Sequence, residues 1–314
     1  MIALVADVLA RVWPFFLLVG AGVALTRLRL LDAGQAQGLS AYVYWIGFPA
    51  LLIHSLSRLG RPSHELAAGL AAYAGVGLAV MAAVVIVGRA LAWSKAERAG
   101  AAMASGVGNS AFLALPIAAA VMGAETARLV AGVVAVDFVT LSAAGVGLLG
   151  WAAGRSVWRS TLQAFRNPVV AAALAGVALA LLDLALPAPL DRAIGMAAVS
   201  GSPVGLIALG AALGLRQAKG ETAPAAAPVL LAAVAKLALF PMAAWLVIGL
   251  TPAPAAFRVG ATLLAAAPTA VNVFIQTKAY GVFARGAART VALTTTLALA
   301  TLALAALLLR PIAG

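Results

Sequence analysis

The sequence predicts an all-α integral membrane protein with ten transmembrane helices in two inverted five-helix repeats. Of its 314 residues, 64% are apolar and only 10% are charged, whereas a soluble domain is about half apolar and about a quarter charged. The apolar residues form ten separate stretches, and proline and asparagine interrupt the fourth and the ninth. The chain has too little polar material to cover a water-facing surface, and no separate soluble domain is expected.

Each apolar stretch is long enough to cross the hydrocarbon core as a helix, which satisfies its own backbone hydrogen bonds there. Turn and breaker residues separate the stretches, for example Pro62 after the second and Pro187 and Pro189 after the sixth. The predicted spans are 4–26, 39–57, 66–88, 99–122, 129–151, 168–186, 194–214, 228–249, 259–280 and 290–309.

The distribution of basic residues predicts the orientation of these spans. Thirteen of the 21 Lys and Arg residues fall in the loops after spans one, three, five, seven and nine, and seven fall on the other side. Because cytoplasmic loops carry an excess of Lys and Arg, the odd-numbered loops are expected in the cytoplasm and both termini outside. We therefore expect a multi-pass protein of the cell inner membrane.

Two copies of a five-span unit must enter the membrane from opposite faces, because five is an odd number. We expect the first repeat over residues 1–154 and the second over residues 155–314. Pro14 in span one has a counterpart in Pro168 at the start of span six, and Pro49 in span two has one in Pro203 in span seven. Paired interruptions in the two halves of a membrane protein indicate a binding site for a transported solute.

The interruptions of spans four and nine are the strongest functional signal. Proline removes a helical hydrogen bond, and freed backbone groups cannot face lipid, so they require protein partners or a hydrated cavity. A broken helix also places a helix N-terminus, which favours anions, in mid-membrane. The alternative is that Pro116 and Pro268 only kink two helices. The candidate binding residues are Asn109, Ser110, Pro116, Pro268, Thr269, Asn272 and Gln276.

Two charged residues lie deep inside predicted spans: Asp137 in span five and Lys236 in span eight. Ionisable groups at this depth are functional candidates. Asp137 is a candidate carrier of a proton or a cation, and Lys236 a candidate counter-charge for an anionic substrate. In the alternative interpretation, Lys236 extends to the cytoplasmic interface and Asp137 caps a freed backbone amide.

The composition and the motifs argue against several other functions. The basic residues are scattered singly between apolar stretches, which fits membrane topology and not nucleic-acid binding. The sequence has no cysteine, no phosphate-binding glycine loop with its lysine, and no acidic cluster for a metal. We therefore expect neither an enzyme nor a cofactor, and any uphill transport must draw on an ion gradient or the membrane potential.

Four motifs give the chain a family resemblance over nearly its whole length. They are Pro14 to Gly22, Ile46 to Leu52, Gly108 to Pro116, and Ala267 to Phe274 followed by Tyr280-Gly281. In order and spacing they resemble the auxin efflux carrier family in its short bacterial form, whose fold is related to that of the bile acid–sodium symporters. The resemblance implies that spans four and nine cross near the midplane. It also implies a scaffold of spans one, two, six and seven beside a moving unit of spans three to five and eight to ten.

Family members carry organic anions such as malate, malonate or, in plants, indole-3-acetate. The resemblance therefore implies a secondary active transporter of small carboxylates that works by an elevator type of alternating access. The alternatives are a sodium-coupled organic anion symporter of the bile acid type, and a channel-like pore or receptor. The expected partners are the organic anion, the lipid bilayer and a coupled H+ or Na+, and a homodimer is left open.

Overall fold

The protein is described by a computed structural model that covers residues 2–58, 62–164, 166, 168–215 and 225–313. All regular elements in this part of the chain are helices, and two residues outside them form an isolated backbone bridge. The predicted breaker segment at 219–224 lies outside the described residues. The helices are α1 (Ile2–Arg27), α2 (Ala33–Leu56), α3 (His64–Ala90), α4 (Lys95–Gly106), α5 (Ser110–Met122), α6 (Ala124–Ala152), α7 (Val157–Ala164), α8 (Pro168–Leu181), α9 (Ala188–Gly214), α10 (Ala226–Ile248), α11 (Ala255–Ala265), α12 (Val271–Ala279) and α13 (Ala284–Ala313).

Six of these helices are long and apolar enough to cross a membrane alone, and a seventh span results if the bent pair α7 and α8 is counted as one. The six are α2, α3, α6, α9, α10 and α13. The chain is thus an all-helical, multi-pass membrane protein. The count of ten spans and the inverted relation of the two halves stay predictions.

The fourth and ninth predicted spans are each interrupted, as the sequence indicates. The fourth consists of α4 and α5, separated by residues 107–109, and the ninth consists of α11 and α12, separated by residues 266–270. Each piece has 9 to 13 residues. At about 1.5 Å per residue, these pieces are too short to cross a core of about 30 Å alone.

Several helices contain a widened π-helical turn, and three of these turns come just before a proline. They cover Val43–Gly47 before Phe48-Pro49, Ser110–Ala114 before Leu115-Pro116, and Ala235–Leu239 before Phe240-Pro241. The proline ring collides with the carbonyl group four residues earlier and donates no hydrogen bond. A wider turn relieves this conflict, so the helix continues past the proline. Such turns are frequent at functional sites.

The helices pack in two groups. In the first, α9 packs against both α1 and α2, and α8 packs against α2. The second contains α3 to α6 and α10 to α13, and most of the buried apolar core lies there, including Tyr73, Met103, Phe240 and Phe257. Helices α2 and α9 of the first group also contact α5 and α6 of the second. The interrupted helices therefore lie at the boundary between the two groups.

Candidate functional site

The gaps in the two interrupted helices meet at one point of the structure. Gly108 and Thr269 form an antiparallel backbone bridge. On either side of it, the Asn109 amide donates to the Pro268 carbonyl at 2.7 Å, and the Ala270 amide donates to the Val107 carbonyl at 3.1 Å. Backbone groups released by the two breaks thus satisfy each other across the gap, as the bilayer interior requires.

The helices that end at this crossing have polar side chains at their last carbonyl groups. The Thr269 hydroxyl donates to the Ala104 carbonyl of α4 at 2.8 Å, and the Lys236 ammonium donates to the Ala265 carbonyl of α11 at 2.9 Å. A helix C-terminus carries partial negative charge, which a cation stabilises. Lys236 is fully buried, so its ammonium group does not extend to the interface. This arrangement contradicts the alternative in which Lys236 reaches the cytoplasmic interface.

The helices that begin at the crossing are α5, after Asn109, and α12, after Ala270. The first amide groups of a helix have no acceptor within the helix, and they create partial positive charge at its N-terminus. Both N-termini border the same cleft, because Asn109, Ala111, Val271 and Asn272 all line it. The N-termini of two helices therefore border one volume.

The cleft contains about 630 Å³ of empty space, including a part that is open to the outside. The polar side chains that line the cleft belong to Ser40, Tyr44, Asn109 and Asn272. Asn109 is 7% exposed, and its side-chain amide forms no hydrogen bond within the described part of the chain. An amide in this position can donate to a carboxylate.

Three phenylalanines form one wall of the cleft. The rings of Phe48 and Phe112 lie 3.5 Å apart between centroids, and those of Phe48 and Phe138 lie 5.4 Å apart in an edge-to-face arrangement. A Cβ atom on Gly205 of α9 would lie 3.1 Å from the Phe112 ring, so the glycine permits this close contact. Phe112 belongs to the second helix group, whereas Phe48 and Gly205 belong to the first.

Behind the crossing, Asp137 lies in a cluster of buried polar groups. The Tyr73 hydroxyl donates to Asp137 Oδ1 at 3.1 Å, and both residues are almost completely buried. The Ser110 hydroxyl lies near the Asp137 carboxylate, but neither Asp137 Oδ2 nor the Ser110 oxygen has a partner in full hydrogen-bond geometry in the described ranges. Asp137 and Lys236 do not form a direct ion pair among the described residues. The cluster thus has spare capacity to bind a proton or a small cation.

Lys236 lies directly behind the backbone of the cleft. A Cβ atom on Gly108 would be 2.8 Å from the Lys236 ammonium nitrogen, so only glycine allows this approach. The ammonium also lies 4.5 Å from the centroid of the Phe240 ring. Gly108 lines the cleft, and the positive charge is therefore separated from it by a single residue without a side chain.

The structure separates the sequence candidates into three sets. The first set, Asn109 and Asn272, lines the cleft. The second set is buried behind the cleft or in the crossing and consists of Ser110, Thr269, Pro268, Asp137 and Lys236. Pro116 and Gln276 are half-buried and do not belong to the cleft lining.

Sequence reasoning missed Tyr73, Ser40 and Tyr44. Tyr73 contributes a single hydroxyl group to an otherwise apolar span, which is a weak signal in a sequence. Its hydrogen-bond partner, Asp137, is 64 residues away in the chain.

Comparisons with known proteins identify the family of the chain. Residues 7–158 and 151–306 match the profile of the family described as "Membrane transport protein". A protein of Rhizobium meliloti (strain 1021) named "Putative malonate transporter" is 30% identical over 308 residues, which cover 94% of each chain.

Proposed function

The chain belongs to the membrane transport protein family, the auxin efflux carrier family that its motifs resemble, and we propose that it carries small organic anions as a secondary transporter. It is a membrane transporter and not an enzyme. The observation that carries the proposed substrate class is the cleft at the crossing, where two helix N-termini and the amides of Asn109 and Asn272 converge. Malonate is the first substrate to test, because a relative is named for it.

We propose that the carboxylate of the substrate accepts hydrogen bonds from Asn109, Asn272 and the first amide groups of α5 and α12. Such donors bind anions without a cationic side chain in the cleft. The buried ammonium of Lys236 adds positive potential through Gly108. The apolar wall of Phe48, Phe112 and Phe138 excludes water from the other side of the substrate. Thr269 and Pro268 hold the crossing together, and Ser110 belongs to the Asp137 cluster.

The proposed transport cycle is an elevator movement of the second helix group against the first. In this proposal α1, α2, α8 and α9 are the scaffold, and α3 to α6 with α10 to α13 are the moving unit. The packing of the helices into these two groups supports the division. The crossing belongs to the moving unit, and the cleft lies between it and α2 and α9, so a sliding movement would carry the bound anion with it.

We propose that Asp137 is the coupling residue. Its unbonded Oδ2 lies near the crossing in the moving unit, where a proton or cation could travel together with the anion. A proton needs one lone pair, whereas a Na+ ion needs several oxygen ligands. Dependence of uptake on a sodium gradient would instead favour the sodium-coupled symporter of the bile acid type.

Flux in proteoliposomes tests the proposal. Purified protein is assayed for uptake of radiolabelled malonate and of other mono- and dicarboxylates. We expect saturable uptake, and we expect Asn109→Ala and Asn272→Ala each to weaken apparent affinity by about 10-fold or more, since a hydrogen bond to a charged group contributes about 1.5–3 kcal/mol. Lys236→Met is expected to weaken affinity in the same direction.

Gln276→Ala is the matched control, because Gln276 lies one turn beyond Asn272 and outside the cleft lining. It should leave affinity within about twofold of the original protein. Linear, unsaturable flux would indicate a channel, and binding without flux would indicate a receptor. Unchanged affinity in both asparagine variants, with the protein folded, would refute the assignment of the site.

A further inference from the structure

Helix α7 joins the two halves of the chain and runs in an unusual direction. It is bent by 69° from α8, which follows it. Helix α8 is apolar and packs along α2, one of the helices long enough to cross the membrane. A helix bent this far from a membrane-crossing neighbour runs closer to the membrane plane than to the membrane normal. The geometry thus places α7 along a membrane surface.

One face of α7 is fixed to the protein by close packing. A Cβ atom on Gly150 of α6 would lie 2.1 Å from the Ser160 hydroxyl, and one on Gly147 would lie 2.5 Å from the Thr161 hydroxyl. Only glycines allow this approach. Ser160 is accordingly buried, at 2% exposure. Helix α7 is therefore a rigid attachment of α6 and not a loose connection.

The opposite face of α7 is apolar and exposed. Trp158 is 70% exposed, and Leu162 is exposed by nearly half. Tryptophan and leucine on one face of a short amphipathic helix are typical of helices that lie in the lipid interface. The exposed ring of Trp158 is well placed to enter the boundary between headgroups and acyl chains.

Basic residues flank this apolar face. Arg155, Arg159 and Arg166 are all exposed, and the Arg155 guanidinium lies 4.9 Å from the centroid of the Tyr280 ring at the end of α12. Close to the end of α6, Lys95 and Arg98 both lie over the ring of Trp151. Exposed arginines therefore lie next to the apolar side chains of α7.

We propose that α7 is an interfacial helix that binds the phosphate headgroups of anionic phospholipids through Arg155, Arg159 and Arg166. Guanidinium groups form paired hydrogen bonds with phosphate oxygens, and anionic lipids attract basic segments at a membrane surface. The apolar residues Trp158 and Leu162 fix the depth of the helix so that the arginines lie at the level of the headgroups. Arg155 also contacts Tyr280 at the end of α12, so a lipid bound to Arg155 lies next to a contact between the two halves of the chain.

Fluorescence quenching by brominated lipids tests this proposal. The protein is reconstituted in bilayers of phosphatidylcholine with a fixed fraction of either brominated phosphatidylglycerol or brominated phosphatidylcholine. The fluorescence of the Trp158→Phe variant is subtracted from that of the original protein, and the difference is the emission of Trp158. We expect Trp158 to be quenched at least about twofold more by the brominated anionic lipid, because anionic lipid accumulates around the arginines.

Variants that remove positive charge distinguish binding of anionic headgroups by the arginines from contact with any lipid. The double variant Arg155→Gln with Arg159→Gln should make the two lipids equal quenchers of Trp158. Arg89→Gln, which removes an exposed arginine from the end of α3, should leave the preference intact. Equal quenching by both lipids in the original protein would overturn the headgroup site. No quenching of Trp158 by either lipid would overturn the interfacial position of α7. Both results can be read without any transport assay.

Discussion

The carboxylate of Asp137 has an unusual position for a buried charge. Tyr73 donates a hydrogen bond to one of its oxygens, while the other oxygen and the hydroxyl of Ser110 have no partner in full hydrogen-bond geometry in the described part of the chain. A buried polar group without a partner is costly, by about 1–3 kcal/mol. In our proposal, a coupled ion occupies this site during part of the cycle.

The substitution Asp137→Asn tests whether that ligand is a proton. In a proton-coupled carrier, uptake by the original protein should rise as the pH on the entry side falls, because protonation of Asp137 accompanies transport. Asparagine does not ionise, so uptake by the variant should no longer depend on pH in this way. Initial uptake rates in proteoliposomes measure this.

Asp183→Asn is the control for loss of a carboxylate, since Asp183 is exposed just beyond the end of α8. It should keep the pH profile of the original protein. If Asp137→Asn kept the profile as well, Asp137 would have no role in proton coupling.

At the scale of the helices, the sequence predicts where most helices begin and end, but it does not predict which residues of different helices touch. The apolar stretches and their breakers place the predicted spans within about six residues of the observed helix ends, and the prolines and asparagines indicate the two interruptions. The capping of α11 by Lys236 and the bond from Tyr73 to Asp137 join residues 29 and 64 positions apart. Such contacts depend on helix packing, which periodicity and composition do not encode. Helix α7 was also missed, because eight residues are too few for a recognisable pattern.

Glycine determines how closely α1 and α9 approach. A Cβ atom on Gly210 would lie 1.9 Å from the Val19 carbonyl oxygen, and one on Gly22 would lie 2.1 Å from the Ile207 carbonyl oxygen. Small residues allow such backbone contacts between membrane helices. If α1 and α9 form the scaffold, these glycines hold it together.

Gly210→Ala should therefore destabilise the protein. Overpacking at a rigid backbone costs about 1–3 kcal/mol, so we expect a lower Tm in detergent together with a smaller monodisperse fraction on size exclusion. Gly20→Ala is the matched control on α1, because a Cβ atom there would meet nothing within 4 Å. A Tm for Gly210→Ala equal to that of Gly20→Ala would show that the close approach of α1 and α9 is wrong.

At the scale of the whole molecule, the cleft lies on one side of the crossing. It is lined by the first half of α2, the second half of α9 and the start of α12. The count of basic residues predicts that the adjoining loops are cytoplasmic. In the proposed cycle, this conformation is the one that opens inward.

Cysteine labelling tests this assignment on a background free of native cysteine. Ile275 lines the cleft and is 44% exposed, so Ile275→Cys should react with an impermeant maleimide in inside-out vesicles and not in right-side-out vesicles. Leu182→Cys, just after α8, should show the opposite pattern. The reverse result for both would place the termini in the cytoplasm and the cleft outside.

The central claim is that an anion binds where the two interrupted helices cross. An experimental structure with a saturating transported anion such as malonate tests it most directly. The account predicts density for a carboxylate within hydrogen-bond distance of the amides of Asn109 and Asn272. Density for the anion elsewhere, for example in the polar pocket beside Arg58 and Asp191, would contradict it, as would α4–α5 and α11–α12 forming two continuous helices.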